Sequence, residues 1–149
     1  MERSLVLIKP DGVQRGLIGE IIQRFERRGL KLIAAKFILV PVSLAEKHYA
    51  IHKGKPFYDG LIKRITSSPV LALAWEGYQI VSAIRQTIGD TNPLNAPPGS
   101  IRHDLGMTSE YNLVHASDSP ANGEMEIALW FRPEELVDWQ RDSDRWIYV

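Results

Sequence analysis

His115 is the residue whose type and setting most suggest chemistry, within Asn112-Leu113-Val114-His115-Ala116-Ser117-Asp118-Ser119. The stretch reads as a short strand feeding a helix start. Such junctions attract anions, because unpaired N–H groups and the helix dipole favour negative charge. An unperturbed imidazole has a pKa of ~6.5 and is largely neutral near pH 7. It can therefore serve as a base or as a nucleophile. Ser117, Asp118 and Glu126 are nearby groups able to orient it. Read alone, a loop histidine with an ordinary hydrogen bond is the simpler account.

Other residues with useful chemistry are scattered. Lys9 closes an apolar run, Arg85 shares a helix with Val81, Ile84 and Ile88, and Arg102 lies in a long loop beside His103 and Asp104. Each has a plain structural explanation: a solvated strand end, an exposed helix cation, a loop salt bridge. Tyr49 and Phe57 read as packing aromatics and Asn112 as a turn cap. Neither G-x-x-x-x-G-K-[ST] nor G-x-G-x-x-G occurs, so the familiar phosphate-loop and dinucleotide classes are not indicated.

The elements that must position these groups follow from the pattern. Leu5-Val6-Leu7-Ile8 reads as a buried strand stopped by a Pro10-Asp11-Gly12 turn. Ile18, Ile21, Ile22 and Phe25 recur at helical spacing, with Arg27 and Arg28 in the last turn and Gly29 as cap. A second strand runs from Leu30 to Val40. Ser43 reads as the N-cap of a helix towards His52, and Phe57 to Ile65 as another helix. Val70 to Trp75 is a third strand, followed by a helix closed at Gly89. Asp90 to Tyr111 holds three prolines and no sustained periodicity, a loop long enough to suggest function or disorder. Asn112 to Ala116 is the fourth strand. Ser119-Pro120 begins a helix ending near Phe131, and Arg132 to Leu136 starts a last short turn. This β-α-β-β-α-β order matches an α+β, ferredoxin-like βαββαβ core: a four-stranded antiparallel sheet covered by helices, with a long loop and terminal helices. A small doubly wound sheet gives a similar alternation.

Composition sets the outer bounds. At 149 residues, with 44% hydrophobic and 24% charged, the chain fits one soluble globular domain spanning residues 1–149. No Cys excludes disulfide frameworks and thiolate-ligated metals. Eighteen cations balance eighteen anions, which argues against a dedicated nucleic-acid surface or a basic membrane-binding field. No apolar run spans a bilayer. Met1-Glu2-Arg3-Ser4 leads straight into a strand without signal-peptide character, so a cytoplasmic protein is expected.

Taken together, the motifs resemble nucleoside diphosphate kinases across nearly the whole chain. Leu7-Ile8-Lys9-Pro10-Asp11-Gly12-Val13 looks like that family's opening signature. Trp75-Glu76-Gly77, Thr91-Asn92-Pro93, Pro98-Gly99-Ser100-Ile101-Arg102 and His115-Ala116-Ser117-Asp118-Ser119 follow in the family's order and spacing, as does Trp130-Phe131-Arg132-Pro133-Glu134-Glu135-Leu136. The resemblance implies a nucleotide-metabolism kinase. Such an enzyme transfers the γ-phosphate of a nucleoside triphosphate, ATP included, to a nucleoside diphosphate by a ping-pong route through a phosphohistidine.

The resemblance also implies roles. His115 matches the nucleophile, Glu126 the carboxylate holding its other ring nitrogen, and Ser117 a hydroxyl supporting them. Arg85 and Arg102 match phosphate contacts, with hydroxyls from Tyr49 and Thr91. Lys9 and Asn112 match sugar contacts, Lys9 also approaching the transferring phosphate, and Phe57 matches the aromatic on which the base stacks. Stacking is tolerant of base identity, so broad base specificity is expected. Mg²⁺ should arrive on the phosphates with no direct protein ligand, Asp118 holding it through water. Family members form homo-oligomers, usually hexamers and sometimes tetramers, with the Pro93 to Arg102 loop at subunit contacts. The chain departs from the family at Glu110-Tyr111, where Gly-Arg is common, along Gly106-Met107-Thr108-Ser109, and at Ala116, where Gly is frequent. A binding module that kept the scaffold and lost turnover is the rival reading, and the intact set of Lys9, Arg85, Arg102, Asn112, His115 and Glu126 argues against it.

Overall fold

The first strand carries four successive apolar residues instead of an alternating pattern, and the reason is that both faces of the sheet are covered. The computed structural model describes residues 1–149. Four strands, β1 (Glu2–Ile8), β2 (Lys31–Ile38), β3 (Val70–Gly77) and β4 (Val114–Ala116), form one sheet in the order β2-β3-β1-β4. Each neighbouring pair is antiparallel. This is the ferredoxin-like arrangement expected from the element order.

Side chains of Val6, Ile8, Leu73 and Trp75 pack on α2 (Ile18–Arg27) and α5 (Ile80–Ile88) through Ile21, Phe25, Ile80, Val81, Ile84 and Ile88. Leu5, Leu7, Ala72 and Ala74 form a second core with Ala45 of α3 (Val42–His48), Ile65 of α4 (Tyr58–Ile65) and Ile127 and Trp130 of α7 (Pro120–Trp130). Leu5 through Ile8 are all fully buried. A strand between two apolar layers has no solvent side to mark with polar residues. Fully burying each such side chain stabilises the fold by about 1.5–3 kcal/mol.

Gly29 stands at φ +101°, a backbone that glycine adopts without a Cβ penalty, and ends α2 as its position suggested. Ser119 caps α7 by accepting from the Asn122 N–H at 3.1 Å, with Pro120 in the first turn. At Gly123, α7 lies against β1 so closely that a Cβ would stand 2.0 Å from the Arg3 carbonyl oxygen.

Three expectations are corrected. Pro10-Asp11-Gly12 does not form a simple turn but opens α1 (Pro10–Gln14); Pro10, with φ already helical and no N–H to lose, starts it. The helix after β2 is capped from Pro41, which places Ser43 inside the first turn, and it ends at His48 before a 3₁₀ turn, Ala50–His52. The span from Asp90 to Tyr111 contains a 3₁₀ turn, Pro93–Asn95, and a short helix, α6 (Ile101–Leu105), whose cap Ser100 accepts from the His103 N–H. Two short 3₁₀ turns, Pro133–Glu135 and Asp142–Trp146, lie near the C-terminus.

Candidate active site

β1 and β4 are in register with Leu7 opposite His115, which puts the histidine on the face covered by α7. There His115 Nε2 lies 3.0 Å from Glu126 Oε2. Ser117 Oγ donates to the other carboxylate oxygen at 2.5 Å and accepts from the Leu5 N–H at 3.0 Å. Ser117 is thus a rivet: it fastens the α7 carboxylate to the centre of β1. Burial acts to raise the Glu126 carboxyl, but the bonds from His115 and Ser117 outweigh it and hold the group below the usual carboxylate range. An ionised carboxylate only accepts, so Nε2 carries the imidazole proton and Nδ1 keeps the free lone pair.

The residues leading into β4 adopt a strained conformation. Leu113 sits at φ +76° while the Val114 N–H bonds the Asn112 carbonyl at 2.9 Å, a γ-turn of the rare left-handed kind. Such backbone costs about 1–3 kcal/mol and persists only where neighbours enforce it. Here the Asp11 carboxylate accepts from the Leu113 N–H and the Lys9 N–H bonds the Leu113 carbonyl, both at 2.9 Å. The turn holds Asn112 beside Lys9, whose Nζ donates to Asn112 Oδ1 at 2.5 Å, while Asn112 Nδ2 donates to the Thr91 carbonyl at 2.9 Å.

His115 and Glu126 open onto a cleft of about 1090 Å³ that Lys9, Tyr49, Phe57, Arg85, Thr91, Arg102, Asn112 and Asp118 also line. Of the expected site residues only Ser117 lies behind the wall. Volume on this scale takes a ligand of nucleotide size. Phe57, at 49% exposure, leaves its ring available near the start of α4. Arg85 is exposed on α5, and its guanidinium makes no hydrogen bond or ion pair within the chain. Tyr49 is buried enough that its phenol is pushed up to about 12, which keeps it a neutral hydrogen-bond donor.

Arg102 is more committed. At 8% exposure, its Nε donates to the Asn112 carbonyl at 3.2 Å, Nη1 to Gly89 at 3.0 Å and Nη2 to Val114 at 2.7 Å. Three of its five N–H groups are therefore committed, two to the histidine strand and the residues leading into it and one to the end of α5, and two remain. Burial pulls its guanidinium down to about 10, with Arg85 adding to the shift, so it stays charged at neutral pH. Lys9 is pulled down to about 8, again chiefly by burial; Asp11 opposes this while Arg102 and Arg64 add to it.

Sequence reasoning missed Arg64 and Leu61 of α4, which line the same cleft, and His48 beside the nucleophile candidate. None belongs to a motif, and only their spacing on short helices hinted at a shared face. His48, His115 and Glu126 bring ligand-type atoms within 4.8 Å of one another. His48 Nδ1 is already occupied, however, accepting from Trp130 Nε1–H at 3.1 Å, so the trio is not an open metal site.

A ferredoxin-like α+β domain with a histidine, its carboxylate and a set of cations that includes Lys9, Arg64, Arg85 and Arg102 around one cleft defines a protein built to handle a phosphorylated ligand. Residues 2–136 match the family model described as nucleoside diphosphate kinase. The chain is 55% identical over 148 residues to a nucleoside diphosphate kinase of Roseiflexus sp. (strain RS-1), covering 99% of both chains. It is 57% identical over 148 residues to one of Symbiobacterium thermophilum, covering 99% of this chain and 98% of that one. Among solved structures, the halophilic nucleoside diphosphate kinase from Halobacterium salinarum in complex with CDP superposes with a TM-score of 0.97 at 49% identity, covering 99% of both chains. A nucleoside diphosphate kinase family protein from Babesia bovis also superposes at 0.97, with 48% identity and 99% and 100% coverage. The chain belongs to the nucleoside diphosphate kinase family.

Proposed function

We propose that this kinase transfers the γ-phosphoryl group of a nucleoside triphosphate to a nucleoside diphosphate in two steps through His115. The observation that carries the reading is the Glu126 carboxylate on His115 Nε2, which leaves Nδ1 as the nucleophilic lone pair. In the first step Nδ1 attacks the γ-phosphorus, the bond to the β-phosphate oxygen breaks, and the donor leaves as a diphosphate. In the second, a terminal oxygen of the acceptor diphosphate attacks the same phosphorus and the N–P bond breaks. A neutral ring nitrogen needs no prior deprotonation, and Glu126 stabilises the positive charge the ring acquires.

Phosphoryl transfer is mainly positioning and charge stabilisation. Arg85, free of internal partners, and the two uncommitted N–H groups of Arg102 serve the phosphates, with hydroxyls from Tyr49 and Thr91. Lys9 and Asn112, already bonded to each other, serve the sugar, and Lys9 the transferring phosphate. The exposed face of Phe57 stacks the base, which favours broad base specificity. Mg²⁺ would come on the nucleotide and neutralise phosphate charge. The fit is to Asp118, an exposed carboxylate on the cleft wall near His115, acting through water.

Homo-oligomerisation, as hexamer or tetramer, accords with the open edge of β2, where Phe37 and the neighbouring Leu39 are 56% and 68% exposed. No helix is long and apolar enough to cross a membrane. The test is transfer from ATP to several diphosphate acceptors. The native chain should turn over with all of them and His115→Ala with none; turnover retained by His115→Ala would overturn the assignment.

A further inference from the structure

We infer that His48 is a positioning residue: a buried neutral ring, kept free of protons at Nδ1 by the Trp130 indole, that sets the plane of the His115 imidazole. The inference rests on His115 being the nucleophile. The two imidazoles meet edge to face, with centroids 4.5 Å apart and planes at 81°. The His48 side chain is 1% exposed and has Tyr49 and Trp130 packed against it edge to face at 4.7 and 5.4 Å. With β4 on one side and α7 on the other, it has no room to turn, so the ring of His115 cannot rotate about its side-chain bonds without displacing a wedged neighbour. One contact alone would not achieve this. The Glu126 bond fixes where Nε2 points, and the His48 ring fixes the tilt about that bond.

Proton placement matters equally. An indole N–H only donates, so His48 Nδ1 must accept, and a neutral ring then carries its proton on Nε2. The titratable groups facing His48 are His115 on β4, Glu126 on α7, and Tyr49 and His52 beyond the end of its own helix. Burial, then His115, then His52 oppose its protonation, and only Glu126 favours it; the balance pulls it down to about 3. Glu126 Oε2 lies 3.9 Å from His48 Nδ1 and 3.0 Å from His115 Nε2. A protonated His48 would compete for that carboxylate oxygen and draw it from the nucleophile. Burial, with the Trp130 indole on the Nδ1 lone pair, prevents the competition.

The test uses the full chain and single-turnover formation of phosphoenzyme from γ-labelled ATP across pH 4–9. His48→Ala should slow transfer at saturating ATP about ten-fold or more, since small misplacements of reacting groups carry large rate costs, with KM little changed. His48→Phe, which restores a neutral ring, should recover most of that loss. Trp130→Phe frees the Nδ1 lone pair while burial still opposes protonation, so it should bring in an acid limb above the native value of about 3 and below the ordinary imidazole value of about 6.5. The Trp130→Phe/His48→Phe pair should lack that limb. A His48→Ala rate equal to the native rate, or no recovery in His48→Phe, overturns the positioning role even if the Trp130 variants fail to fold. A Trp130→Phe profile identical to the native one overturns the proton-blocking role. If the native chain itself forms no phosphoenzyme, the underlying reading fails, and that outcome is distinct from either of these.

Discussion

Ser117→Ala removes the rivet between α7 and β1, and its cost can be worked from the two bonds that the hydroxyl makes. The first loss is the acceptor for the Leu5 N–H, 3.0 Å away on a strand residue with no solvent exposure. A buried donor left unpaired costs about 1–3 kcal/mol. The second is the 2.5 Å bond to the Glu126 carboxylate. Hydrogen bonds to charged groups contribute about 1.5–3 kcal/mol, discounted here because that carboxylate retains His115 and its side chain is 18% exposed, within reach of water. The expected sum is about 2–4 kcal/mol at pH 7, read by urea unfolding at fixed protein concentration. The two parts separate by pH. The Glu126 carboxyl titrates lower in the fold than unfolded, so its share is complete above the unfolded value of about 4.3 and is lost as pH falls through the folded value. The gap between native chain and variant should therefore narrow as pH falls below the unfolded value and through the folded one, toward the Leu5 contribution alone. A gap under about 0.5 kcal/mol at pH 7, the ordinary range of a neutral surface change, would refute the rivet. A gap that does not narrow in acid would refute the carboxylate's part in it.

Arg85 and Arg102 should separate binding from structure. Arg85→Ala should leave stability within about 0.5 kcal/mol yet cost transfer about 100-fold. Arg102→Ala, losing three bonds to backbone carbonyls, should destabilise by roughly 3–5 kcal/mol at about 1–1.5 kcal/mol per bond. Melting and transfer assays on both variants check the contrast. Lys9, at about 8 in the fold, loses its charge as pH rises, so kcat/KM should fall above about pH 8; a flat profile to pH 9.5 refutes its role toward phosphate. Over the same range the unfolded chain holds the extra proton, so this group's contribution to stability rises with pH. Gly123→Ala places a Cβ against the Arg3 carbonyl and should cost about 3 kcal/mol or more, measured by thermal unfolding.

Local signals were enough for most of the scaffold, because the deciding physics there is local. Leu5 to Ile8, the Gly29 terminator and the Ser119-Pro120 start carry their conformations in a few neighbouring residues. Pro10-Asp11-Gly12 failed because one composition serves a turn and a helix start alike, and α6 was hidden by the prolines and glycines that surround only five helical residues. The site divides in the same way. Resemblance named most of the cleft's chemistry, but not how each group is held. The strained backbone at Leu113 is enforced from Lys9 and Asp11, about a hundred positions away in sequence. The three carbonyls that occupy Arg102 and the indole that holds His48, 82 positions away, are likewise products of the tertiary fold.

The central claim is that Glu126 on Nε2 makes Nδ1 of His115 the atom that accepts phosphate. The most direct measurement is the linkage itself: the phosphoenzyme made from ATP, studied by phosphorus and nitrogen NMR with labelled histidine. One phosphate per chain on His115 Nδ1, acid-labile and discharged by added diphosphate, is the predicted result. Phosphate on Nε2, on another residue, or not transferable to a diphosphate would contradict the account.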